Sequence, residues 1–249
     1  MKYTTFLFLL LLPFVFIAQT QEGSIQYEEI MKLQIELPEE MKQYEHLIPK
    51  ERITKMDLFF DESTSLYTKS VEVAETEENP FGGNVQTQVM TIGGGESSQI
   101  YVDRSKKEVV QSENVMGQQF LITAPLESKD WKVLNEQKNI LSYTCIKAEL
   151  EVDSTTTLTA WFSPNLPLSI GPALYYGLPG AVLEIVIERE SSSRTIIARK
   201  VELTEVSDKI VLPQKGKKVS KEEFDALVQA RVEEMRQNSN GESGRFLFL

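Results

Sequence analysis

The sequence predicts a mainly β fold with a minor α component: an antiparallel sheet, curved into a half-barrel or meander, covered by a C-terminal helix. Three observations lead there. Between Gly23 and about Ser207 apolar residues recur at period two, the spacing that puts alternate side chains on one face of a strand. The strand-like runs follow one another at short spacing, which argues for antiparallel neighbours and against alternating βαβ units. Only from Ser220 does the apolar spacing become helical over a long stretch.

The elements follow in order. Ser24–Leu37 begins with an extended segment, and Pro38–Pro49 is rich in helix formers and reads as a short helix. Lys55–Lys69 reads as a hairpin whose two apolar arms flank the polar turn residues Asp61-Glu62-Ser63-Thr64. Residues 71–98 change character, with Glu72, Glu75, Glu77 and Glu78 followed by glycines at 82, 83, 93, 94 and 95, and read as a long loop. Strand patterns resume at Gln99–Val102 and Lys107–Gln111, around a tight Asp103-Arg104-Ser105 connection, then at Gly117–Thr123 and Trp131–Glu136. Ile140–Val152 reads as one strand with Ile146, Ala148, Leu150 and Val152 on one face, and Thr155–Phe162 as the next. Val182–Arg189 and Arg194–Glu205 form a hairpin around a serine-rich tip. Pro213 opens a linker carrying Lys215, Lys217 and Lys218. Ser220 and Glu223 then fit a capping box, and Phe224, Leu227, Val228, Val232 and Met235 form the apolar stripe of a helix that packs on the sheet.

The ends set the compartment. Lys2 precedes Phe6–Ala18, an unbroken apolar run of 13 residues. A membrane-spanning helix needs about 20, so this run reads as a secretory signal peptide ending near Ala18. The expected organisation is a leader at 1–18, a β domain at 19–212 containing the loop 71–98, and a linker, helix and tail at 213–249. No later segment is apolar for long enough to span a membrane as a helix. Cys145 is the one cysteine, so the chain has no internal disulfide, and no Asn-X-Ser/Thr acceptor occurs. Export from a Gram-negative bacterium, to the periplasm or beyond, is the expected location. The formal charge of −11 disfavours nucleic acid as a partner.

Several chemistries lack their residues. His46 is the one histidine; with a single cysteine beside it, zinc or copper centres of the usual Cys/His kind cannot be assembled. There is no Gly-X-Ser-X-Gly elbow and no phosphate-binding glycine loop. No metal and no cofactor is implied, and no catalytic residue is assigned. Among the carboxylates Glu184 stands out, because it sits in an apolar strand where burial would raise its pKa; the alternative is that it faces solvent or pairs with Arg189 or Lys200. Cys145 reads as a buried, inert thiol, with no lysine or histidine placed locally to activate it.

The densest punctuation lies between Trp161 and Gly180. Prolines 164, 167 and 172 take the chain off the sheet after Phe162. Leu178-Pro179-Gly180 has the chemistry of a type II turn, with Gly177 before it. This segment is stiff and carries Trp161, Tyr175, Tyr176 and Leu178, the expected border of an apolar groove or partner-binding face; ordinary packing is the competing view. GPALYYGLPGAVLEI at 171–185, with Trp131, LSYTCIKA at 141–148, AWFSPNLPLSIGP at 160–172 and SLY at 65–67, resembles the GLPGLI family of exported bacterial proteins. Ala181-Val182 stands where that family's name has Leu-Ile. The resemblance implies export and a mostly β chain, and no activity. The expected function is a non-enzymatic binding or scaffold protein of the cell envelope, holding an envelope protein or an apolar ligand. A carboxylate-dependent hydrolase built around Glu184 is the alternative.

Overall fold

The computed structural model describes residues 22–33, 51–70, 98–115, 117–152, 156–189 and 192–239. The leader, the Pro38–Pro49 stretch with His46, the loop 71–98 up to residue 97, and the Phe246–Leu249 tail lie outside the described residues. Within them the chain forms twelve strands and one helix. The strands are β1 Gly23–Leu33, β2 Glu51–Phe60, β3 Thr64–Lys69, β4 Gln99–Asp103, β5 Glu108–Val115 and β6 Gln118–Pro125. They continue with β7 Lys132–Ile140, β8 Tyr143–Glu151, β9 Thr157–Ser163, β10 Ala181–Arg189, β11 Ser192–Glu202 and β12 Lys217–Ser220, and the helix is α1 Lys221–Ser239. They make one sheet in the order β12-β6-β5-β4-β3-β2-β1-β11-β10-β9-β8-β7. Every pairing is antiparallel except β12 with β6, which is parallel.

Connectivity forces this sheet to curl. Strands β6 and β7 lie ten places apart in it, about 48 Å in a flat sheet at ~4.8 Å per step. Only residues 126–131 connect them, and such a link reaches about 25 Å at full extension. The two ends of the sheet must therefore approach each other. The enclosed face carries the core: Ile25, Tyr27, Leu58, Phe60, Tyr67, Val102, Phe162, Ile185 and Ile196 belong to one apolar cluster. Tyr27 also ties its hydroxyl to the carbonyl of Val182, at 2.6 Å, which satisfies a polar group that burial would otherwise make costly.

Local sequence accounts for most of the elements. In β10 the predicted apolar face of Leu183, Ile185 and Ile187 is buried, and Ala181 and Val182 join it because the pairing with β9 shifts register between Val182 and Glu184. The β2–β3 turn is held by Asp61, whose Oδ1 accepts from the amides of Ser63 (2.7 Å) and Thr64 (2.6 Å). Arg104, from the β4–β5 turn, donates to the carbonyls of Asp61 and Thr64 and so stitches the two turns together. Ser105's hydroxyl and Lys106's amide hold Asp103 at a pKa of about 2, so it stays a charged acceptor.

Three expectations are corrected. Ile140–Val152 is not one strand: Ile140 ends β7, Tyr143 begins β8, and Leu141-Ser142 form a two-residue hairpin loop. Leu141 takes φ 53° there, a conformation usually left to glycine or asparagine, so no local signal marked the turn. The segment after Pro213 is not all linker, since Lys217–Ser220 pairs with Phe120–Thr123 as β12. The capping box is present, with Ser220's amide donating to Glu223 (2.9 Å) and Glu223's amide to Ser220 Oγ (3.2 Å). The helix covers one end of the sheet only: Phe224 and Leu227 pack with Val219 on Val115, Phe120 and Ile122, away from the main core.

Candidate functional site

The loop between β9 and β10 is built by alternating its side chains. Pro164 and Pro167 point to solvent, while Leu166, Ile170 and Leu178 are buried in the core. Its backbone is satisfied by β10, with Ala181 N donating to Leu166 O (2.9 Å) and Val182 N to Ile170 O (2.9 Å). Leu178-Pro179-Gly180 is not the type II turn expected. Gly180 N donates to Leu178 O at 2.8 Å, which closes a three-residue γ-turn around Pro179. Gly180 is required by proximity, because a Cβ there would lie 2.2 Å from the carbonyl oxygen of Ser163. The positive φ that favours glycine sits at Gly177, at 98°.

The β6–β7 link meets this loop. Trp131 Nε1 donates to the carbonyl of Tyr176 at 2.9 Å, and Lys129 Nζ lies 5.4 Å from the centre of the Tyr176 ring. Burial raises the Tyr176 pKa, against a hydrogen bond from the Glu127 backbone that lowers it. Tyr176 thus anchors the link that joins β6 to β7.

Tyr175 points elsewhere. It packs, half-buried, against the core, and its pKa is raised first by burial, with Arg194 and Glu29 also acting on it. Those two form an ion pair on the enclosed face, Arg194 Nη2 to Glu29 Oε2 at 2.7 Å. Tyr67 donates its hydroxyl to the other carboxylate oxygen, Oε1, at 2.6 Å. Burial and then the Glu29 charge push Tyr67 well above the ordinary tyrosine range, so it remains a donor. Burial lowers the Arg194 pKa, but Glu29 more than offsets it. Arg194 Nε is buried without a hydrogen-bond partner.

Trp161 does not join Tyr175 and Tyr176. Register pairs it with Lys147 on β8 and Glu184 on β10, on the face opposite Phe162 and Ala160. Lys138 leans over from β7, its Nζ 4.4 Å from the centre of the Trp161 ring and 2.8 Å from each carboxylate oxygen of Glu184. The partner of Glu184 is therefore Lys138, not Arg189 or Lys200 as expected. Cys145 lies opposite Lys138 in the β7–β8 register and is fully buried, and burial pushes its thiol up to about 11. Of the four predicted aromatic and apolar residues, then, Leu178 is core, Tyr176 sits on the β6–β7 link, Tyr175 stands by the ion pair, and Trp161 lies under Lys138.

The Glu29–Arg194–Tyr67 cluster was missed, though its signal is present. Glu29 interrupts the alternation Ile25, Tyr27, Met31, and Arg194 that of Ile196 and Ala198; each places a charge on a face otherwise apolar. Among the described residues no group of three or more His, Cys, Asp or Glu side chains could hold a metal ion. Among them also, no helix is long and apolar enough to cross a membrane.

Residues 84–229, more than half of the chain, match the family model described as N-glycanase peptide, N-terminal domain. The chain belongs to this family. It also has the fold of part of PNGF-II. Structures of PNGF-II in the P21 and C2 space groups superpose with TM-scores of 0.55 and 0.53, at 17% and 15% identity. They cover 84% and 83% of this chain and 33% of PNGF-II in each case, so the chain spans about a third of PNGF-II's length. No curated protein matches the sequence.

Proposed function

We propose that this protein is an exported, non-enzymatic binding module of the bacterial cell envelope whose targets are glycoproteins. The observation that carries the reading is the family: the matched domain is named as the N-terminal part of an N-glycanase. A domain attached to an enzyme that acts on glycans has a use in holding glycosylated chains, and the same use is open to it alone. The apolar leader Phe6–Ala18 supports export, and so does the resemblance of the Gly171–Ile185 stretch to the GLPGLI signature.

The geometry supports binding over catalysis. The β9–β10 loop is rigid, its prolines and backbone bonds set before any partner arrives, and such preorganisation lowers the entropy lost on association. Glu184, the carboxylate on which a hydrolase would depend, has both oxygens engaged by Lys138. That is the arrangement of a structural ion pair. The test is capture of a defined N-glycoprotein on a surface bearing the purified protein, before and after enzymatic removal of the glycan. Capture of the glycosylated form alone is expected. Equal capture of both forms, or of neither, contradicts the reading.

A further inference from the structure

We propose that the free edge of β7 is the interface at which a second copy of this chain joins the sheet. This interface is independent of the glycoprotein-binding reading above.

The two edges of the sheet differ. β12 is four residues long and runs directly into α1. β7 has nine residues and no proline, and among the described residues it pairs with β8 alone. Six of its nine residues are exposed. An open edge of this length offers unpaired N–H and C=O groups to another strand.

The β7–β8 turn fixes which groups face outward. Leu141-Ser142 is a two-residue loop, so the residues that close it, Ile140 and Tyr143, bond to each other. Antiparallel pairs alternate between bonded and unbonded. Lys138 therefore bonds through its backbone to Cys145, while the N–H and C=O of Gln137 and Asn139 point to the free edge.

Pairing across a two-fold axis sets outward groups against outward groups. The axis then lies at Gln137, or one residue to either side. Charge decides between these. An axis at Glu136 or at Lys138 places that residue against its own copy, and like charges directly opposite repel. An axis at Gln137 instead places Glu136 of each copy opposite Lys138 of the other, which makes two attractive pairs. Both side chains lie on one face of the sheet: Glu136 reaches Lys147 at 3.1 Å, and Lys138 reaches Glu184, which pairs through Trp161 with Lys147. The Lys138 ammonium has three N–H donors and directs two at Glu184, at 2.8 Å each, so one remains for a carboxylate from outside. Side-chain exposure of 35% for Lys138 and 58% for Glu136 leaves both within reach of a neighbour.

The test is sedimentation equilibrium of the purified protein, joined to cross-linking at chosen positions. A dimer is expected. Glu136→Lys sets lysine against lysine twice. It should raise the dissociation constant about tenfold and leave the melting midpoint unchanged, because the Glu136–Lys147 pair is exposed. Gln137→Cys places two thiols at the axis, with Cα atoms about 5.5 Å apart, and a short bifunctional thiol reagent should join them. Lys132→Cys separates the two thiols by about 34 Å, ten residue steps at ~3.4 Å, beyond the reach of that reagent. The parent, whose Cys145 is buried, is the control. A monomer throughout the concentration series overturns the proposal. So does a dimer that Glu136→Lys leaves intact, or one that cross-links through Lys132→Cys as readily as through Gln137→Cys. If Glu136→Lys lowers the melting midpoint, the cross-linking comparison decides alone.

Discussion

Glu184 and Cys145 were both located by strand parity, and parity served them unequally. The burial of Cys145 was legible, while for Glu184 burial and a solvent-facing position were both open and the structure buries it. The Glu184 partner was not legible, because Lys138 lies 46 positions away and reaches it only through the pairing of β7, β8 and β9. Pairings of that range are set by sheet register, which no local pattern encodes. For Cys145 the raised pKa gives a prediction with a definite sign. The thiol titrates near 9 when unfolded and at about 11 when folded. Its contribution to stability is fully present below about pH 9 and lost as pH rises towards 11. The urea midpoint of the parent should therefore fall more steeply between those values than that of Cys145→Ala. Superimposable profiles would show that the thiol is not desolvated. Thiol reagents at pH 8 should label the chain only after denaturation.

At the scale of elements, alternation located most of the strands, though not β12 or the break between β7 and β8, and the capping box located the start of α1, because both signals lie within a few residues of one another. Turns were less legible. Leu178-Pro179-Gly180 carries residues that suit a type II turn, yet the approach of Ser163, from the end of the previous strand, selects a γ-turn. Leu141-Ser142 lacks the glycine or asparagine that a positive φ favours, and the flanking ladder imposes the bend. The tight contact at Gly180 leaves no space for a methyl group, so Gly180→Ala should destabilise by about 2 kcal/mol or more in chemical denaturation. An unchanged midpoint would place the loop farther from Ser163. For α1, Ser220→Ala removes one half of the capping box and should cost the helix about 1 kcal/mol. Since the helix rests on Phe120 and Ile122 and not on the main core, hydrogen exchange should accelerate in α1 while β9 and β10 keep their protection. Loss of protection throughout would mean that the helix and sheet unfold together.

For the whole molecule, the fold class was legible and the closure was not. Short spacing between strands announces an antiparallel sheet, but nothing local says that β1 pairs with β11, or that the six-residue link from β6 leads to the far edge. Those two facts bend the sheet around its core and bring the 126–131 link against Tyr176. They also divide the predicted binding residues, leaving Tyr175 with a charged pair that sequence reading passed over. The most direct measurement is a calorimetric titration of the purified protein with a free N-glycan and with a defined N-glycoprotein, the glycan being followed by mass spectrometry throughout. A module of this kind should bind both saturably and leave the glycan attached. Release of the glycan, or no heat of binding with either, would contradict the account.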